Sequence, residues 1–262
     1  MKEIIIQKCK QLEKENNIKI LFCIESGSRV WRLSSADSDY DVRFVYYRPL
    51  KEYIQINQRG DVITAHYDKQ GNRMSAEGCL LDFTGFDIFK FCKMLSSSNP
   101  TTIEWLLSDI EYYGEKPKEF INFAKKQFNP ISLYWHYKSM CKQNYLKYLK
   151  SGKTVTYKKY LYAMRGLVNA KFVAQHNTLP DIDFTKTLEK TEEILLKNVK
   201  DKLKRIIELK KDSREKTIVL KISKIDDYIE SFLKNDDDCP KTKRPTSLNN
   251  LNSELRKILG VE

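Results

Sequence analysis

Gly27-Ser28 is followed, after ten residues, by Asp39-Tyr40-Asp41. Asp39 and Asp41 stand two apart at the start of the apolar run Asp41–Tyr47 (DVRFVYY), which reads as a strand. Side chains at i and i+2 of a strand share a face, so both carboxylates point one way. Adjacent carboxylates repel unless a cation lies between them. Mg²⁺ is such a cation and takes carboxylate and phosphate oxygens together. In a two-metal site one ion activates the attacking oxygen and the other holds the leaving pyrophosphate. Asp82, inside the apolar run Leu80–Thr84 (LLDFT), supplies a third carboxylate. A lone charge in such a strand is costly without a partner, and a shared metal would be one. Asp39, Asp41 and Asp82 are therefore the candidate catalytic and metal-binding residues.

Gly27 and Ser28 are candidates for holding phosphate. The buried-strand pattern Ile18–Ile24 (IKILFCI) leads into them, and a helical segment begins there. Glycine lets a ligand approach the backbone, a helix N-terminus presents unpaired N–H groups, and the serine hydroxyl adds a donor. Glu25 and Arg43 flank the site. Asp87 is an alternative third acid, but it stands where a helix starts and reads better as its cap. Further along, Lys158, Tyr162 and Arg165 are spaced i, i+4, i+7 and share one helix face. Such a face could bind the outer phosphates of a nucleotide and stack on or hydrogen-bond to it; its plain alternative is a solvated face. His66, His136 and His176 are scattered singly and read as core or surface. Tyr134, Trp135, Tyr137, Tyr145 and Tyr148 read as core of a helical region, some of them able to stack on bases.

The elements that must position these residues fall into two halves. Residues 2–16 have helical spacing at Ile5, Ile6, Cys9 and Leu12. Three strand patterns follow, at 18–24, 41–47 and 80–84, with a weakly patterned excursion over 55–78 that reads as a hairpin or irregular. Gly85 reads as a turn, Phe86–Leu95 as a helix, and Asn99-Pro100 as the start of another. Helical patterns then dominate: 118–128, 132–150, 156–176, 185–211, 218–234 and 248–259, with a polar, proline-bearing loop at 235–247. The expected class is α+β, with a mixed-sheet domain over residues 1–115 and a helical domain over 116–262.

The 262 residues are enough for one large domain or two moderate ones. Net charge is +12, from 47 Lys and Arg against 35 Asp and Glu, which favours anionic partners such as nucleic acid or nucleotides. A Lys-, Asn- and Ile-rich composition of this kind also arises from AT-biased coding alone. The six cysteines form no CxxC pair, so reduced thiols fit better than zinc or a disulfide framework. No apolar run is long enough for a membrane span, and the charged N-terminus does not read as a signal peptide. A cytoplasmic protein without membrane contact is expected.

The Gly-Ser, ten residues, Asp-x-Asp arrangement resembles the signature of DNA polymerase β-like nucleotidyltransferases. Glu25-Ser26-Gly27-Ser28-Arg29 and Ser38–Phe44 (SDYDVRF) are similar to the branch associated with RNA ligase and RNA repair systems. Leu81–Asp87 (LDFTGFD) resembles that branch's third-carboxylate strand, Asn99-Pro100 with Glu104-Trp105-Leu106 its next helix, and Tyr157–Arg165 its basic-aromatic helix. The resemblance spans residues 18–185. It implies a small mixed sheet with helices on it, a helical second domain, and Mg²⁺-dependent transfer of a nucleoside monophosphate from a nucleoside triphosphate to an acceptor hydroxyl. Asp39 and Asp41 would hold the metals, Asp82 would bind one and help deprotonate the acceptor, and Gly27 and Ser28 would hold the triphosphate. One departure is Arg32, where the pattern leads one to expect a small residue such as glycine. RNA, acting through its 3′ end in repair, is the leading acceptor. The alternatives are a protein or small-molecule hydroxyl, or a non-catalytic nucleic-acid or nucleotide binder, against which the intact acids argue.

Overall fold

The computed structural model describes the chain except for residues 58, 153, 192–194, 215–216, 243–246 and 262. Two compact units interleave in sequence. One comprises Met1–Val30, Asp39–Phe128 and Pro245–Glu262, and the other Trp31–Ser38 and Asn129–Arg244. Instead of the expected single boundary at 115/116, the chain passes between the units at 30/31, 38/39, 128/129 and 244/245. Phe120 is fully buried and stacks on Phe91, which keeps its helix with the sheet.

In the sheet unit the elements run α1 (Lys2–Asn16), β1 (Lys19–Ser26), α2 (Gly27–Val30), β2 (Tyr40–Tyr47), β3 (Val62–Tyr67), β4 (Leu81–Asp87), α3 (Ile88–Ser96), α4 (Pro100–Leu107), β5 (Glu111–Gly114) and α5 (Lys118–Lys126). The helical unit holds α6 (Pro130–Asn144), a π-helical turn (Tyr145–Lys150), β6 (Val155–Thr156), α7 (Tyr157–His176), α8 (Phe184–Glu189), α9 (Lys197–Asp212), β7 (Ile218–Val219) and α10 (Ser223–Lys234). The chain then returns to the sheet unit with α11 (Asn249–Leu259), which packs on α5.

The five strands are ordered β3-β4-β2-β1-β5. β2 and β4 are parallel, and the other neighbours are antiparallel. Alternation along the strands sorts their side chains onto two faces. Cys23, Val42, Phe44 and Phe83 join Ile5, Cys9 and Leu12 of α1 in one core. On the other face Phe22 meets Phe91 of α3, and Phe86 stacks on Trp105 of α4. Asp87 accepts from the Phe89 amide and Asn99 from the Thr101 amide, so α3 and α4 each begin on a capping side chain.

Several sequence readings shift. The 55–78 excursion contains a true strand, β3. Gly85 is not a turn: it lies within β4 opposite Phe44, and a Cβ there would overlap the Phe44 ring. The strand therefore runs on to Asp87 and the helix starts at Ile88. The expected helix 185–211 is two, α8 and α9, and residues 192–194 between them lie outside those described. Ile218 and Val219 pair with β6 rather than starting a helix. Part of the expected 235–247 loop, residues 243–246, also lies outside the described residues. No helix among the described residues is long and apolar enough to cross a membrane.

Charge divides unequally. The sheet unit's sequence has 20 Lys and Arg against 19 Asp and Glu, and the helical unit's has 27 against 16. Residues 129–180 carry nine Lys and Arg and no acid.

Candidate active site

Parallel pairing sets Asp41 of β2 directly beside Asp82 of β4. Both fall on the sheet face that also carries Phe86, at the end where β2 and β4 begin. A guanidinium lies between the two carboxylates. Arg43 Nη2 donates to Asp41 Oδ1 at 2.8 Å and to Asp82 Oδ2 at 2.9 Å, while its Nη1 donates to the Asp82 carbonyl at 2.6 Å. The other Asp82 oxygen, Oδ1, lies 3.2 Å from Nδ1 of His66, which β3 places opposite Asp82.

The turn after β1 completes this end of the sheet. Gly27 has φ +67°, and a Cβ at that position would run into the Asp41 carboxylate. Only glycine lets the turn take this left-handed backbone and leave the carboxylate its space. Ser28 follows it and is buried in the short α2. Arg29 stacks over the Tyr40 ring at 3.8 Å and donates to the Asp39 carbonyl at 3.1 Å, tying α2 to the lead-in of β2.

Glu25 lies beneath. It is fully buried, accepts the Asp41 amide at 3.1 Å and accepts the Tyr112 hydroxyl at 2.6 Å. Burial pushes its carboxyl up to about 7, against the lowering effect of those two hydrogen bonds. Burial, and after it the adjacent Glu25 charge, raises the Tyr112 phenol.

The structure thus gathers Gly27, Asp41 and Asp82 and adds Glu25, Arg43 and His66 around them. Asp39 stands at the lead-in to β2 and its carboxylate makes no hydrogen bond or ion pair among the described residues. No three acids, histidines or cysteines among the described residues close on one point. The donor set nevertheless suits a hard divalent cation. Asp41 and Asp82 face each other as oxygen donors, a cationic group already bridges them, and Asp39 is unengaged nearby in sequence. His66 escaped the sequence reading because the strand carrying it has no clear alternation. Tyr112 escaped because β5 is only four residues long.

Lys158, Tyr162 and Arg165 lie in the helical unit, on α7. Arg165 is 4% exposed, and its guanidinium lies 3.5 Å from the centroid of the Trp31 ring. Trp31 in turn meets Tyr162 edge-on at 5.5 Å, and the Lys158 ammonium is 5.7 Å from the Tyr162 centroid. The shared face is real, but it is a packed stack at the Arg165 end rather than a row of open cations. Arg32, the departure noted in the sequence, has φ +60°, a conformation that favours glycine.

Facing acids on parallel neighbouring strands beside a glycine-opened turn define an α+β protein with a carboxylate site at one end of its sheet. The chain belongs to the RNA repair pathway DNA polymerase beta family, whose model matches residues 1–257. It is 31% identical over 261 residues to the uncharacterized protein YcgL of Bacillus subtilis (strain 168), a match covering 99% of this chain and 95% of that one. A nucleotidyltransferase-like protein from Exiguobacterium sibiricum 255-15 is a distant structural match. It has a TM-score of 0.30 and 12% identity, over 88% of this chain and 72% of that one, too remote to bear on the fold.

Proposed function

We propose that this protein transfers a nucleoside monophosphate from a nucleoside triphosphate to a hydroxyl at the 3′ end of RNA, with Mg²⁺ as cofactor. The observation that carries the reading is the register of β2 against β4, which sets Asp41 beside Asp82 with a cationic group between them. Membership of an RNA repair family supports the RNA acceptor. Asp39, Asp41 and Asp82 would hold the metal ions, which supply charge neutralisation at the phosphates and acidify the acceptor hydroxyl.

The chain's own groups do the rest. Gly27 and Ser28 hold the triphosphate at the turn where backbone approach is open. The acceptor oxygen bonds to the α-phosphorus, the bond from that phosphorus to the bridging oxygen breaks, and pyrophosphate leaves with the electron pair. The hydroxyl proton passes to Asp82, beside which His66 is placed to stabilise or relay it. Arg43 must release at least one of the two carboxylates for them to serve a metal.

The test is incubation of the full chain with each α-labelled NTP and Mg²⁺, against total RNA and against protein extract. Label on RNA that vanishes with Asp41→Asn is the expected result. Label on protein or on a small molecule instead would remove the RNA acceptor, and no label anywhere would remove transfer itself.

A further inference from the structure

The helical unit contains a cavity of about 540 Å³ that the proposed chemistry does not use. It lies between the π-helical turn that follows α6 and the start of α7. Asn144, Tyr148, Thr154, Lys158, Lys159 and Tyr162 are among the residues that line it. Its size suits a small organic ligand, and its lining combines aromatic rings, amide and hydroxyl groups, and ammonium groups. We propose that this cavity binds one nucleotide of a single-stranded RNA, its base against Tyr148 or Tyr162 and its flanking phosphates at Lys158 and Lys159. The inference rests on RNA as the acceptor in the proposed reaction.

Four observations carry it. Two tyrosines line one cavity, and each has an ammonium group over its ring. Lys147 and Lys159 are 4.9 and 5.6 Å from the Tyr148 centroid, and Lys158 is 5.7 Å from that of Tyr162. A ring face held by a flexible lysine is a platform that a base can take as the ammonium swings off it to the flanking phosphate. Asn144 spends one amide N–H on the Met140 carbonyl, leaving its oxygen and second N–H for a base edge. The wall carrying Tyr148 is a π-helical turn, a rare geometry that is frequently found at functional sites. Finally, every lining residue but Ile218 falls within residues 129–180, which have nine basic side chains and no acid, in the unit that holds almost all of the protein's net charge. That favours a polyanionic strand over a single free nucleotide.

The assignment moves Lys158 and Tyr162 from the triphosphate role expected from sequence to the acceptor strand. Arg165, the third member of that face, is buried against Trp31 and does not line the cavity.

The test is fluorescence anisotropy of a short fluorescein-labelled single-stranded oligoribonucleotide with the full chain in EDTA, alongside calorimetric titration of ATP. Tyr148→Leu should weaken RNA binding roughly tenfold with an unchanged salt slope, and Tyr148→Phe should retain it, since the ring and not the hydroxyl stacks. Lys158→Gln with Lys159→Gln should flatten the slope of log affinity against log salt by about 0.7 per lost phosphate contact. ATP affinity should hold in all of them. Unchanged RNA affinity in Tyr148→Leu, or a parallel loss of ATP affinity, would overturn the assignment. If wild type labels RNA but the cavity variants bind RNA normally, the cavity falls and the transfer reading stands. If the variants lose RNA but wild type labels nothing, the cavity stands and transfer falls. If wild type binds no RNA, both the cavity and the RNA acceptor fall.

Discussion

Arg43 changes what the acidic pair means for the metal-free protein. Asp39 and Asp41, read from sequence as neighbouring carboxylates, should repel, so removing either should hold or raise stability. With the Arg43 guanidinium donating to Asp41 and Asp82 at 2.8 and 2.9 Å, the balance reverses for those two. Asp82→Asn should cost about 1 kcal/mol in EDTA, because it weakens a charge-assisted contact that is only partly exposed. Urea denaturation checks this. The same substitution should slow transfer on the order of a hundredfold or more while leaving NTP affinity nearly unchanged, since the lost charge acts at the acceptor oxygen; turnover measured beside NTP binding separates the two. Glu25 gives a pH signature. Its folded carboxyl titrates near 7, above the usual glutamate range, because it is buried. The folded state then holds the proton more tightly than the unfolded one, so the Glu25 contribution to stability is greatest at low pH and falls as pH rises from about 5 to about 7, by about 2 kcal/mol. In EDTA, Glu25→Gln should abolish that slope in melts taken across the range. A wild-type curve flat over the same window would show that Glu25 stays ionised.

At the scale of elements, the site depends on the register of two strands more than on any loop. Asp41 faces Asp82 because Phe44 faces Gly85 three residues further along the same pair. The ring fills the space a Cβ would need. Gly85→Ala should therefore cost about 1–3 kcal/mol by overpacking and push β4 away from β2. Transfer should drop by more than stability explains, although Gly85 touches no substrate group. Chemical denaturation and turnover measured on the same preparation test this; a destabilised variant with full activity at a temperature where it stays folded would show that the register tolerates the shift. In the sequence Gly85 looked like a turn because a glycine after LLDFT ends an apolar run. Its role belongs to a partner strand 41 residues away, which local pattern cannot show.

On the whole-molecule scale the charge is nearly all on one unit. The sheet unit is close to neutral and the helical unit carries a net +11 from its 27 basic and 16 acidic residues. RNA attraction should therefore respond to charge changes on the helical unit alone. Lys142→Glu, exposed on α6, should weaken RNA binding several-fold and flatten its salt dependence, whereas Lys126→Glu, equally exposed on α5, should do neither. Binding isotherms across a salt series distinguish them. Equal effects from both would mean that the strand contacts the sheet unit as well.

The sequence by itself determined the acids, the glycine-serine turn, most helices and the change from mixed to helical character. These follow from short-range rules: two-residue alternation, 3.6-residue periodicity, and the capping residues Asp87 and Asn99. Arg32, where the resemblance leads one to expect a small residue such as glycine, has a positive φ. Tertiary structure alone decided which side chains meet. Strand pairing brought His66 beside Asp82 and Arg43 between two acids. Packing sank Arg165 beneath Trp31, a residue 134 positions earlier, and so closed the face that helical spacing had presented as open. Chain return after the helical unit joined α11 to α5 within the sheet unit. Each of these is a contact between residues far apart in sequence, and its energy depends on burial and pairing that no local pattern encodes.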